Sequence, residues 1–313
     1  MTGDSLYPDG STENYMNERR PFQFGAGYAL IEGAPAKWFR FSGGARVDVY
    51  STFGPIVVPR GALIFKPGDG HILKLMGGRA FRAPSIYEQF YNDGGFTQVT
   101  AVDPARNIAL KPESVVSGEV EYSWRFLQDW VALAAVHGSF IEDTMTTVQD
   151  DPNGDPEIFR YQNRTSPALV MGGDVEIRRE WRRGIMLAAS YSYQQARVLD
   201  STLRNPILVS APEHLASARF VVPAVKDVAS FGFRATMEAP RRVDELTDDR
   251  TGLSVVADAT ISGKVREIGV RYVVGIYNIA DRRYQVPVAE SFASRTMPQN
   301  GRTFRMDVMW QWP

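Results

Sequence analysis

Apolar and polar residues alternate strictly along most of this chain, in segments long enough to cross a membrane. From Val116 to Phe126 the even positions are Val116, Gly118, Val120, Tyr122, Trp124 and Phe126, with Ser117, Glu119, Glu121, Ser123 and Arg125 between them. A strand points successive side chains to opposite faces, so this ribbon has one apolar and one charged face. The pattern returns in Leu253, Val255, Ala257, Ala259 and Ile261, set against Ser254, Asp258, Thr260 and Ser262. Phe304, Met306, Val308, Trp310 and Trp312 repeat it against Thr303, Arg305, Asp307 and Gln311. Strands of about ten residues with this two-faced character suit an outer-membrane barrel, which turns its apolar face to lipid and its polar face to a wet lumen. A soluble sandwich or propeller alternates in the same way, so the pattern alone leaves both open.

Tryptophan placement separates them. All six tryptophans lie near short polar connections. Trp38 follows EGAPAK, Trp124 and Trp130 flank FLQD, Trp181 precedes RRG, and Trp310 and Trp312 end the last segment. Amphipathic rings gather at the headgroup level, whereas a soluble core would place them mid-strand. The six mark one membrane rim.

Composition agrees. A formal net charge of -1 gives no field that would draw nucleic acid. The absence of cysteine excludes a disulfide framework and any thiolate metal site. No apolar run approaches the roughly eighteen residues of a membrane helix. A mean hydropathy of -0.24 is low, but a barrel strand shows only alternate residues to lipid. The opening MTGDSLYPDGSTENYMNERR has neither a basic n-region nor an apolar core, so it does not read as a signal peptide. An outer-membrane protein needs an export signal, and a longer parent is therefore expected.

Alternation between turn signals predicts strands near 22–31, 37–50, 57–65, 71–80, 115–126, 130–147, 158–180, 184–196, 213–222, 228–238, 252–262, 267–279 and 301–312, about thirteen in all. EGAPAK, KPGDG, FLQD, WRRG, PAVKD and GKVRE are short turns, while 81–114, 148–157, 197–212, 239–251 and 280–300 are long loops. Outer-membrane barrels put short turns in the periplasm and long loops outside, with an even strand number when complete. An odd count ending in the periplasm makes residues 1–20 a remnant of an extracellular loop and 21–313 the C-terminal part of a larger barrel.

Particular residues then carry a resemblance. Gly78-Arg79-Ala80-Phe81-Arg82-Ala83-Pro84-Ser85, then Glu88, leads to Leu110-Lys111-Pro112-Glu113-Ser114. This resembles the FRAPS…E…LKPE stretch in the barrels of TonB-dependent outer-membrane receptors. Tyr277-Asn278-Ile279-Ala280-Asp281-Arg282-Arg283-Tyr284 resembles the family's NLFDKxY segment, Gly301-Arg302-Thr303-Phe304 its GRTF, and Ala211-Pro212-Glu213-His214 the proline that opens another strand. The resemblance covers residues 78–312. It implies an all-β, antiparallel transmembrane barrel of about twenty-two strands around a plug, of which these would be the last thirteen or so. Neither the plug nor a TonB box is recognisable here, and Pro313 follows the terminal aromatic Trp312 that the insertion machinery would read.

The resemblance also implies function. The parent would import an iron-siderophore or cobalamin-like chelate across the outer membrane of a Gram-negative bacterium. Its partners would be outer-membrane lipid, the barrel-insertion machinery and, through the missing N-terminal part, the TonB energy complex. No substrate bond is broken, so no enzyme and no cofactor are expected. His71, His137 and His214 lack zinc-site spacing. Asp151-x-Asn153-x-Asp155 reads as a hairpin tip rather than a calcium loop, because Pro156 stands where glycine is needed. For ligand binding the candidates are Arg79 and Arg82 with the loop aromatics Tyr87, Phe90, Tyr91 and Phe96. The two arginines could instead pair with Glu119 and Glu121 along the wall. Phe81, Pro84, Glu88, Lys111, Pro112, Glu113, Asn278, Tyr284, Gly301 and Phe304 are motif positions expected to be architectural. Val120, Tyr122, Val255, Ala257, Met306 and Val308 are expected to face lipid, with substitutions at Glu121 or Asp258 milder than at those sites. A passive porin of about fourteen strands and a soluble β-rich binding protein remain as alternatives.

Overall fold

The computed structural model describes residues 4–6, 12–14, 22–93, 96–104, 108–127, 129–151, 154, 157–180, 184–200, 207–209, 211–225, 228–243, 247–288 and 294–311. Thirteen strands form one antiparallel sheet in which each pairs with its neighbours in sequence. In chain order they are β1 (Phe24–Ala36), β2 (Phe39–Tyr50), β3 (Gly54–Gly68), β4 (His71–Arg82), β5 (Glu113–Phe126), β6 (Trp130–Glu142) and β7 (Ala168–Glu180). Then follow β8 (Met186–Val198), β9 (His214–Val225), β10 (Ala229–Glu238), β11 (Ser254–Val265), β12 (Val270–Tyr277) and β13 (Thr303–Trp310). β1 and β13 are the two ends of the sheet and do not pair with each other. Residues Asp4–Leu6 and Thr12–Asn14 form a separate two-stranded ladder.

The register separates two chemistries. Cross-strand partners share a face. The row Leu75, Val120 and Val136 is apolar, as are Met237 with Val255 and Val274 with Met306. One residue out of phase, Lys74 opposes Glu121 and Arg234 opposes Asp258. On the apolar face Val255 is 49% exposed, Met306 67% and Val308 56%, against 7% for Asp258. The polar face is tied by ion pairs: Lys74 to Glu121 at 2.6 Å, Arg46 to Asp48 at 2.6 Å and Arg234 to Asp258 at 2.6 Å.

Four tryptophans stand on the rim of short turns. Trp38 occupies the β1–β2 turn with Phe39 and Phe65 beside it. Trp124, Phe126 and Trp130 stack in sequence around the β5–β6 turn, and Trp310 Nε1 donates to the Ile268 carbonyl. Trp181 and Trp312 lie outside the described residues. The turns are tight. Gly70 has φ +78°, and a Cβ there would lie 2.5 Å from the Arg125 carbonyl oxygen, so two constraints select glycine. The wall's three register shifts, between Gly33 and Ala36, Phe65 and Gly68, and Pro223 and Val225, all fall at this rim.

Strand boundaries differ from expectation at the short turns, where much of EGAPAK, KPGDG, PAVKD and GKVRE continues the strands, and most of all in one further region. The continuous strands expected at 130–147 and 158–180 are each interrupted. Asp143 takes φ 55° and ends β6, and Met145–Gln149 then pairs with Phe159–Asn163 in a separate ladder above the wall. The polar runs Glu142-Asp143-Thr144 and Asn163-Arg164-Thr165-Ser166 mark the two breaks in the sequence.

Candidate functional site

The loop from β4 to β5 is pinned to the wall and to the upper hairpin at several described residues above the long-loop rim. Pro84 favours extended backbone in the residue before it, and Ser85 caps the short helix α1 (Ile86–Phe90). The Glu88 amide donates to Ser85 Oγ at 3.1 Å, and the Ser85 amide donates to Glu88 Oε2 at 2.8 Å, a reciprocal capping box. Arg82 then joins both ends of the loop. Its Nη1 donates to the Glu88 carboxylate at 2.8 and 3.0 Å, while Nε and Nη2 grip both Glu113 oxygens at 2.7 and 2.9 Å. Glu113 also accepts the Met145 amide at 2.6 Å, which brings in the upper hairpin.

A second clasp lies beside it. The Asn163 amide accepts from the Lys111 N–H at 2.7 Å and donates to the Lys111 carbonyl at 2.9 Å and the Asp143 carbonyl at 2.6 Å. The loop's return segment docks on the same hairpin, with Val99 N–H donating to Phe159 O at 2.9 Å and Phe159 N–H to Thr97 O at 2.8 Å. Asp93 closes the turn by accepting from the Thr97 and Gln98 amides. Burial pushes the Asp93 carboxyl up, but those donors and the Thr97 hydroxyl outweigh it and leave it below its ordinary 3.8. Burial likewise pushes Glu88 up, and the Ser85 amide and Arg82 guanidinium bring it below 4.5.

On this platform Tyr87 and Tyr91 lie with ring centroids 4.5 Å apart, and Tyr161 from the hairpin meets Tyr87 edge-on at 6.3 Å. Burial, with Tyr87 and Glu88 nearby, raises the Tyr161 phenol above 10.0, so it stays a neutral hydroxyl. Phe90 also reaches a neighbouring site. It lines a cleft of about 600 Å³ with Phe22, Phe24, Tyr50, Phe53 and Ile86. Phe96 is 65% exposed. Neither Tyr161 nor the Phe24–Tyr50–Phe53 group was a sequence candidate; aromatic residues where strands end at the long-loop rim were the available signal.

The two arginines separate. Arg79 opposes Val116, in the outward phase of Leu75 and Val120, whereas Arg82 opposes Glu113. Residues three apart on a strand point to opposite faces, so the two cannot share a site within the wall. The pairing with Glu119 and Glu121 also differs from expectation, since Glu121 takes Lys74 and Arg82 takes Glu88 and Glu113.

The downstream motif builds a second latch. Asn278 adopts φ 52° and is buried. Its amide donates to Asp258 at 2.9 Å, and its side chain bonds the Arg282 amide at 2.8 Å, the Arg282 carbonyl at 2.8 Å and the Asn300 carbonyl at 3.2 Å. Asp281 accepts the Arg302 amide at 2.8 Å, and the Tyr284 carbonyl accepts the Gln299 amide at 2.9 Å. A Cβ on Gly301 would lie 2.5 Å from Asp281 Oδ1, which is why glycine stands there. Phe304 continues into β13 on the outward face, opposite Ile276.

Residues 2–279 match the family described as TonB dependent receptor-like, beta-barrel. No curated protein matches the sequence. Among solved structures, the siderophore receptor PirA from Acinetobacter baumannii is similar at a TM-score of 0.70 and 17% identity, covering 92% of this chain and 45% of that one. A mutant of the ferric enterobactin receptor PfeA from Pseudomonas aeruginosa, in complex with enterobactin, is similar at a TM-score of 0.72 and 15% identity, with 92% and 45% covered. The copper transporter OprC gives a TM-score of 0.70 at 18% identity, with 92% and 47% covered. The chain thus spans under half the length of each of these proteins.

Proposed function

Because the chain belongs to the TonB-dependent receptor β-barrel family, we propose that it forms wall and capture loops of an outer-membrane importer for a metal chelate. Proteins of this family are outer-membrane barrels of Gram-negative bacteria. The observation that carries the proposal is the platform of Tyr87, Tyr91 and Tyr161, fixed to the wall by Arg82 and Asn163 at the long-loop rim. In this reading residues 21–313 are wall and loops, residues 1–20 belong to an extracellular loop, and the long-loop rim faces outward from the cell. Aromatic faces bind a flat aromatic chelate by stacking. An iron-siderophore complex and a cobalamin-like ligand both offer such a surface. Capture is non-covalent, and inward passage would draw on the TonB complex through the plug that this wall surrounds. The similarity to a siderophore receptor, to an enterobactin-bound receptor and to a copper transporter supports a metal-linked cargo.

Equilibrium titration of the purified, folded receptor with ferric enterobactin, a ferric hydroxamate, cobalamin and copper(II) tests the reading. Saturable binding of one chelate, competed by its unlabelled form, is the expected result. Failure of all four to bind would overturn a metal-chelate cargo.

A further inference from the structure

The outward face is unevenly filled. Across β5 to β7, and on to Ala189 and Tyr191 of β8, it sinks into a groove of about 540 Å³. Tyr122 and Trp124 of β5 form one wall, Val175 and Ile177 of β7 the other, and Ala132 and Ala134 of β6 the floor between them. The wall-bearing strands stand two strand spacings apart, about 10 Å, which leaves room above the alanine methyls for one hydrocarbon chain. The aromatic wall is braced from behind: His71 Nδ1 lies 2.6 Å from the Tyr122 hydroxyl, and its ring stacks on Trp124 at 5.8 Å.

The groove ends on a cation. One row nearer the short-turn rim, on the same outward face, come Phe126, Trp130 and Arg179. The Arg179 guanidinium sits 5.4 Å from the Trp130 ring centroid. An apolar channel footed by indole and guanidinium, at the level where tryptophans mark the membrane boundary, matches the order of groups along a phospholipid.

We propose that this groove seats one acyl chain of a phospholipid from the periplasmic leaflet, with its phosphate against Arg179. The proposal rests on the outer-membrane reading above. The acyl chain restores the surface that Ala132 and Ala134 leave low. Arg179 holds the phosphate by charge-assisted hydrogen bonds, which a neutral headgroup cannot accept in the same way.

The test uses the complete receptor that carries this wall, extracted from outer membranes with its surrounding lipid, then washed with detergent and counted by native mass spectrometry. The wild type is expected to keep one phospholipid after the rest are stripped. Ala134→Trp, which fills the floor, should lower that retention roughly tenfold, equivalent to about 1.4 kcal/mol. Ala257→Trp, on the outward face away from the groove, should leave it unchanged, and Arg179→Gln should remove the preference for phospholipid over diacylglycerol. Ala134→Leu provides a smaller filling should the tryptophan prevent assembly. Equal lipid loss in the Ala134 and Ala257 variants would overturn the groove, as would a second copy of the chain retained in place of lipid. Absence of the complete wild-type receptor from the carbonate-resistant outer-membrane fraction would instead remove the membrane reading on which the proposal rests.

Discussion

Arg82 holds three pieces of chain with one planar group: the end of β4, the helix cap at Glu88 and the start of β5 at Glu113. Its side chain is 49% exposed, so solvent screens the pairs, and we expect Arg82→Ala to cost about 1 kcal/mol of loop stability. Faster amide exchange across 86–113, with the wall unchanged, would register it. Tyr87 and Tyr91 should respond in the opposite way. Their joint replacement by alanine is expected to weaken chelate binding at least tenfold, about 1.4 kcal/mol, while assembled protein stays constant. Unchanged affinity in equilibrium titration would assign capture to another loop. At this scale the sequence was legible where roles are local. Ser85, Glu88 and Pro84 spell a helix start, and Glu113 sits where a paired strand begins. Tyr161 was not legible, because its approach to Tyr87 depends on how two loops dock. Arg79 lies in the opposite phase to Arg82, which parity in the sequence already shows.

The loop platform answers to pH through two of its carboxylates. Glu88 and Asp93 both titrate below their ordinary values of 4.5 and 3.8 in the folded loop. A depressed carboxylate contributes stability that is complete above its ordinary value and lost as pH falls through the folded one. The contribution of Glu88 and Asp93 to loop order should therefore be complete above about pH 5 and be lost at more acid pH, as faster amide exchange at 85–93 would show. Ser85→Ala should cost about 1 kcal/mol of the same order by deleting the cap. The number and order of the wall strands were legible because strand alternation has a fixed period, whereas their ends at the short turns were not, since polar turn residues such as Glu32 and Lys66 still pair in the ladder. The hairpin above β6 and β7 was missed although the polar run Glu142-Asp143-Thr144 marks the break. Asn278 was recognised only as a motif; its positive φ and its four hydrogen bonds explain why an amide side chain stands there.

For the whole molecule, the assignment of faces makes the strongest demand. Arginine at Val255 or Val308 should destabilise the wall by about 2–4 kcal/mol near the bilayer centre, measured by reversible unfolding from lipid vesicles. Asp258 no longer belongs with the tolerant positions. It is buried, takes Arg234 at 2.6 and 3.0 Å and the Asn278 amide at 2.9 Å, and its replacement by alanine should be comparably costly. The unpaired edges of β1 and β13 add an expectation for the 313-residue chain on its own. Lipid offers those backbone groups no partners, so refolding in isolation should yield aggregate rather than a heat-modifiable, ion-conducting species on gels and planar bilayers. The location of the three register shifts has one more outcome, in the arithmetic of chain length. A bulge leaves a backbone group unpaired, and the wall places all three where water can reach them. Between the rims, a one-residue deletion would turn every later side chain of that strand to the wrong solvent, and a two-residue deletion would preserve the faces. Family members of different length should therefore differ by even counts inside the bilayer and by any count at the turns.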